Sequence, residues 1–109
     1  MKIFNASVII LLIFSLNVFA SEISGVPRIT DGDTIKILNK RIRFYGIDAP
    51  EKKQFCVKNY KKYRCGQEAT NALKKKIDER LVICKVQDQL DRYRRYIGVC
   101  FLGDIDLNK

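Results

Sequence analysis

Four cysteines, Cys56, Cys65, Cys84 and Cys100, constrain the fold of this 109-residue chain more than any other feature. Their weight follows from the first twenty residues. Lys2 opens a short basic segment, Val8 to Phe14 is an unbroken apolar run, and Val18-Phe19-Ala20 offers small residues ahead of Ser21. This is the pattern of a cleaved export signal. Asn5, Ser7, Ser15 and Asn17 interrupt the stretch and argue against a spanning helix, so an uncleaved anchor is the weaker alternative. Residues 1–20 are therefore read as a signal peptide and residues 21–109 as one domain, secreted or periplasmic. A domain of that size buries only about 60–65% of its unfolded surface and calls for staples. An even cysteine count in an oxidising compartment supplies them. Four cysteines allow three pairings, of which the local ones, Cys56–Cys65 and Cys84–Cys100, are favoured. Zinc is the rival use, but the sequence has neither a CxxC nor a histidine.

Lys2 is the only charged residue of the leader, so its removal takes the formal net charge from +9 to +8. A small exported domain this basic is expected to meet a polyanion: nucleic acid, anionic lipid or acidic polysaccharide. A generally lysine-rich, solvated surface is the bland alternative.

Hydrophobic periodicity supplies the elements. Ile35 and Ile37 alternate with Lys36, as in a half-buried strand, and Asp31-Gly32-Asp33 before them has turn chemistry, with Gly32 free to take positive φ. A second turn at Asn39-Lys40 leads into Arg41 to Ile47. There Ile42, Phe44 and Ile47 face one side, Arg43 and Tyr45 the other, until Pro50 stops the ladder. Lys52 to Cys65 has no clear period and reads as a long loop pinched by its two cysteines. Gln67 to Ile77 reads as a helix with Ala69, Ala72, Leu73 and Ile77 inward. Leu81 to Val86 and Tyr96 to Phe101 are β-rich runs. Paired antiparallel about Arg92, they set Cys84 opposite Cys100, within disulfide reach; two free buried cysteines are the alternative. Three strands, a helix and two strands make a mainly β protein that closes as a five-stranded OB-fold barrel with one packed helix.

Asp31, Asp33, Asp48 and Glu51 fall within twenty-one positions of a basic chain. Brought together by two turns, they would repel one another unless a cation sat among them. Oxygen-only donors on turns suit a hard ion, calcium before magnesium. Singly, each has a plain reading as a turn or strand-end residue. In combination with arginines they meet the needs of phosphodiester hydrolysis: a cation on the phosphate, an oriented water, and positive donors for the charge that grows in the transition state. Arginine suits the last task because its planar fork grips two phosphate oxygens. The lack of histidine excludes histidine-based nuclease mechanisms and leaves carboxylate, lysine, tyrosine or metal-bound water as the base.

Asp31-Gly32-Asp33-Thr34, Arg43 through Glu51, Cys65-Gly66-Gln67-Glu68-Ala69 and Asp91-Arg92-Tyr93-Arg94-Arg95 together resemble the ordered signature of the thermonuclease (staphylococcal-nuclease-like) family. The resemblance runs from about Val26 to Asn108. It implies an OB-fold barrel and calcium-dependent cleavage of DNA and RNA, single strands preferred, to 3′-phosphorylated products. The domain is expected to be a monomer with no stable membrane association after signal cleavage. Asp33 and Asp48 resemble the direct calcium ligands, the Ala49 carbonyl a backbone ligand, and Asp31 the outer-sphere carboxylate. Glu51 matches the residue that orients or deprotonates the attacking water. Arg43 and Arg95 match the pair that binds the scissile phosphate. Two departures stand out. Arg94 occupies a position where the family usually has glycine, so a positive φ there would carry strain of roughly 1 kcal/mol. After Leu107-Asn108 the family continues into further helices, which this sequence lacks. Two other functions therefore stay open: a non-catalytic single-strand-binding OB module, with tyrosines stacking on bases, and an inactive shortened remnant.

Overall fold

The computed structural model describes residues 21–109, so the proposed signal segment, residues 1–20, lies outside the described residues. Strands form where apolar and polar residues alternate. In β3 (Thr34–Ile37) and β4 (Lys40–Phe44), Ile35, Ile37, Ile42 and Phe44 are buried, and the partners of Arg41 and Arg43 across the ladder are Lys36 and Thr34. In β7 (Val82–Leu90), Val82, Cys84 and Val86 point inward, facing Gly98, Cys100 and Leu102 of β8 (Tyr96–Leu102). The turn between β3 and β4 is Leu38-Asn39, both at positive φ, one residue before the position read from the sequence. Two residues at positive φ give the twist that suits a tight hairpin.

Two further strands, β1 (Ser21–Gly25) and β2 (Arg28–Asp31), explain closure. The sheet runs β1-β7-β8-β4-β3-β2, with β9 (Ile105–Asp106) on β8. Its two edge strands are consecutive in the chain, separated only by Val26 and Pro27. The sheet therefore has to curl until its edges meet. With β1 and β2 taken as one strand interrupted at Pro27, the barrel has the five strands expected, including the parallel β4–β8 pairing. The β1 segment was not anticipated, because Glu22 and Ser24 leave only Ile23 buried in it.

The segment read as a long loop is instead a small hairpin, β5 (Cys56–Lys58) and β6 (Lys61–Tyr63), turning through Asn59-Tyr60. It has no apolar period because neither strand faces a core. The Cys56–Cys65 disulfide closes its base, as expected. Cys65 also starts the helix α1 (Cys65–Ile77), two residues ahead of the sequence estimate. Its buried positions are Cys65, Gly66, Thr70, Leu73 and Ile77, so Thr70 replaces Ala72 on the inner face. The Thr70 hydroxyl donates to the Gly66 carbonyl at 2.8 Å, so burying it leaves no unmet donor.

Cys84 and Cys100 are directly opposed, Cα atoms 4.0 Å apart, and bonded. The hairpin is not centred on Arg92, however. Leu90 pairs with Tyr96 and Val86 with Gly98, so four steps along β7 match two along β8. A β-bulge absorbs the difference and restores the cysteine register. Leu107 is buried in the core. Asn108 accepts the Cys100 N–H and donates to the carbonyls of Tyr45 and Gly98, tying β8 to the end of β4.

Candidate active site

Two turns meet at one end of the barrel, and their contacts explain the sequence there. Gly32 does not adopt positive φ as its turn chemistry suggested. It is required because a Cβ there would stand 2.9 Å from the Cβ atoms of both Ala49 and Ala69, where the second turn and α1 converge. Asp33 is buried, its side chain 9% exposed. Its Oδ1 accepts the Thr34 hydroxyl at 2.8 Å and its Oδ2 the Ala49 N–H at 2.9 Å. Asp31 Oδ1 accepts the Lys52 N–H at 2.6 Å. The first turn's carboxylates thus pin the backbone on both sides of Glu51.

Glu51 itself is exposed. Its backbone is fixed by reciprocal hydrogen bonds with Gln54: the Glu51 N–H donates to Gln54 Oε1 at 3.2 Å, and the Gln54 N–H to the Glu51 carbonyl at 2.8 Å. The Gly66 N–H then donates to the Gln54 carbonyl. The first turn of α1 lies so close that a Cβ on Gly66 would come 1.6 Å from the Glu51 carbonyl oxygen.

Strand period sets the arginines. Arg43 lies on β4 between buried Ile42 and Phe44 and so points to the opposite side. Its Nη1 donates to the Ile47 carbonyl at 2.6 Å and lies 3.3 Å from Asp33 Oδ2. Its Nη2 donates to Asp48 Oδ1 at 3.3 Å. The guanidinium therefore stands between Asp33 and the exposed Asp48. Arg95 ends the β7–β8 turn. Its Nε donates to Asp91 Oδ2 at 3.0 Å, while Asp91 Oδ1 takes the N–H groups of Tyr93 and Arg95 at 2.9 and 2.8 Å. Burial works against the Asp91 charge, but hydrogen bonds from the Arg95 backbone and guanidinium and from the Tyr93 backbone outweigh it and hold the carboxyl below its ordinary value. Arg94 does sit at positive φ, 62°. The Asp91 network holds Arg95 at the site despite that strain.

Asp31, Asp33, Arg43, Asp48, Ala49, Glu51 and Arg95 all line one cleft of about 380 Å³. Arg41 and Tyr93 line it too and were not foreseen in the site. The period-two rule contained the signal for Arg41, two residues before Arg43 on the same strand face. Arg41 Nη2 donates to the Tyr93 carbonyl, and the Tyr93 ring carries the guanidinium carbons of Arg92 and Arg95 at 5.0 and 5.1 Å. Among the described residues, no three acidic or cysteine side chains converge closely enough to hold a metal ion. The donor type nevertheless suits a hard cation, and a cationic guanidinium already bridges Asp33 and Asp48.

Comparisons with known proteins identify the family. Residues 41–109 match the family model described as Staphylococcal nuclease homologue. The chain is similar to a protein named Succinoglycan biosynthesis protein ExoI from Rhizobium meliloti (strain 1021), 38% identical over 87 residues, covering 78% of this chain and 45% of that one. It is also similar to a protein named Uncharacterized endonuclease from Escherichia coli O157:H7, 37% identical over 101 residues, covering 88% of this chain and 60% of that one. The chain thus spans about half the length of the curated relatives it matches. The family model covers more than half of the chain, and this chain therefore belongs to the staphylococcal nuclease homologue family.

Proposed function

We propose that this protein is an exported, calcium-dependent nuclease that hydrolyses DNA and RNA, single strands preferred, to 3′-phosphorylated products. The observation that carries the reading is the gathering of Arg43, Arg95, Glu51 and three aspartates around one cleft. Asp33, Asp48 and the Ala49 carbonyl would hold the ion, with Asp31 in its outer sphere. Bound there, calcium would polarise the phosphate and help neutralise its charge. Glu51 orients the attacking water and accepts its proton as the oxygen bonds to phosphorus. The bond from phosphorus to the 5′-oxygen breaks, and that oxygen leaves as a hydroxyl with a proton from solvent, to which Glu51 returns the proton it accepted. Arg43 and Arg95 bind the non-bridging oxygens and stabilise the added negative charge. Arg95 is suited to this because Asp91 engages only its Nε among the side-chain nitrogens, leaving the terminal fork for phosphate. Asp91 is a positioning residue.

Two disulfides among the described residues accord with an oxidising compartment. No helix among the described residues is long and apolar enough to cross a membrane. The test is degradation of single-stranded DNA with calcium and with excess EGTA. Arg43→Ala or Glu51→Ala is expected to lower turnover by about 10²–10³-fold. Undiminished activity in EGTA refutes the calcium assignment. Salt-sensitive binding with no turnover in calcium would favour the binding-module reading, which the Tyr93 ring at the cleft also supports.

A further inference from the structure

The β5–β6 hairpin takes no part in the cleft or the barrel core, yet its composition is specific. Between Lys52 and Gln67 the chain carries six cationic side chains and no carboxylate. Among the described residues, none of the six forms an ion pair; Lys62 and Arg64 instead lie over the Phe55 ring, at 4.7 and 6.0 Å from its centre. The hairpin tip is stranger. Tyr60 sits at φ 64° and is fully exposed. Glycine, asparagine and aspartate are the residues that turn position favours. A tyrosine there carries backbone strain and large apolar exposure, with no packing in the fold to offset either.

The hairpin is also rigidly joined to the cleft. Its base is closed by Cys56–Cys65, Cys65 opens α1, and Gly66 and Gln54 lock that junction to Glu51. A shallow groove lined by Lys52, Lys53, Phe55 and Arg64 begins one residue after Glu51. Positive charge, an unpacked aromatic and continuity with the cleft are what a polyanion with planar bases would use.

We propose that the β5–β6 hairpin is a second strand-binding surface, on which a single-stranded nucleic acid leaving the cleft lays its phosphates along the lysines and stacks a base on Tyr60. The proposal rests on the nuclease reading for its substrate, but its test does not need catalysis. Binding of a fluorescein-labelled 16-nucleotide oligothymidylate is followed by anisotropy in EDTA, across a salt series. The triple variant Lys58→Gln, Lys61→Gln, Lys62→Gln should weaken binding at least tenfold and flatten the salt dependence by about two in log–log slope. Tyr60→Asn, which keeps a residue suited to positive φ, should weaken it about tenfold or more with the salt slope unchanged. Wild-type affinity and slope in both variants, with unchanged thermal melts, overturn the proposal. Hairpin-dependent binding without cleavage in calcium would leave this surface standing and refute the nuclease reading. Cleavage lost in Arg43→Ala, with hairpin variants binding normally, would do the reverse.

Discussion

Gly66→Ala offers the sharpest test of how Glu51 is positioned. The added Cβ would start 1.6 Å from the Glu51 carbonyl oxygen, and real Cβ contacts essentially never fall under 3.0 Å. Either α1 or the Glu51 segment must therefore retreat by 1.4 Å or more, the difference between those two distances. Both partners are backbone, held by the Gln54 hydrogen bonds on one side and the Cys56–Cys65 bridge on the other, so neither can yield cheaply. Overpacking of this kind costs about 1–3 kcal/mol of stability, and each kcal/mol lowers Tm by roughly 4–8 °C in a domain this small. A displacement of about 1 Å in a catalytic group can lower rate a hundredfold, or about 2.7 kcal/mol in activation free energy. The assay pairs a thermal melt with kcat on single-stranded DNA in calcium, measured well below Tm. Gly103→Ala is the control: its φ is 59°, but a Cβ there meets nothing within 4 Å. It should cost about 1–2 kcal/mol through backbone strain alone and leave kcat unchanged. If Gly66→Ala keeps wild-type kcat, or if both variants lose activity in proportion to stability, the positioning argument fails.

Other perturbations probe the remaining parts of the site. Arg43→Ala leaves the nearly buried Asp33 without its cation and should cost about 2–3 kcal/mol in EGTA. Millimolar calcium should then raise the variant's Tm more than the wild type's, and equal shifts would argue against an ion at Asp33. Asp91→Asn should destabilise the protein by about 1–2 kcal/mol near neutral pH and lower kcat through Arg95. Because the folded Asp91 value lies below the unfolded one, its contribution is present above about pH 4 and lost as pH falls through the folded value. The stability gap between wild type and Asp91→Asn should therefore close in acid, and a pH-independent gap would contradict the assignment. Replacing Cys84 and Cys100 together by alanine removes a cross-strand bond closing a loop of sequence separation 16 and should cost about 3 kcal/mol by denaturant unfolding; an unchanged midpoint would refute that.

Much of the barrel was legible because its strands alternate cleanly. Ile35 and Ile37, Ile42 and Phe44, and Val82, Cys84 and Val86 announce their inward faces two residues apart. The β5–β6 hairpin was not legible, since a strand with no buried face leaves no period. The bulge in β7 was hidden for a related reason: register is a property of two strands, and the polar stretch from Gln87 to Leu90 gives no sign of how many residues its partner will match. The sequence placed Cys84 against Cys100 correctly even so, because the bulge compensates for the displaced turn.

The sequence by itself supplied the candidate chemical parts, namely the aspartates, Glu51, the two arginines and four cysteines for which it favoured the local pairing, since residue type and local order carry that information; the bonds Cys56–Cys65 and Cys84–Cys100 are seen in the structure. Only the tertiary structure decided what holds those parts in place. Gly32 is fixed by Ala49 and Ala69, Gly66 by the Glu51 carbonyl, Arg43 by Asp33 and Asp48, and Arg41 and Tyr93 enter the same cleft. Most of these join residues distant in the chain or of no chemical mark by themselves; Arg43 with Asp48, five positions apart, is the near exception. They depend on how the turns, α1 and the sheet pack together, which no local stretch of sequence fixes.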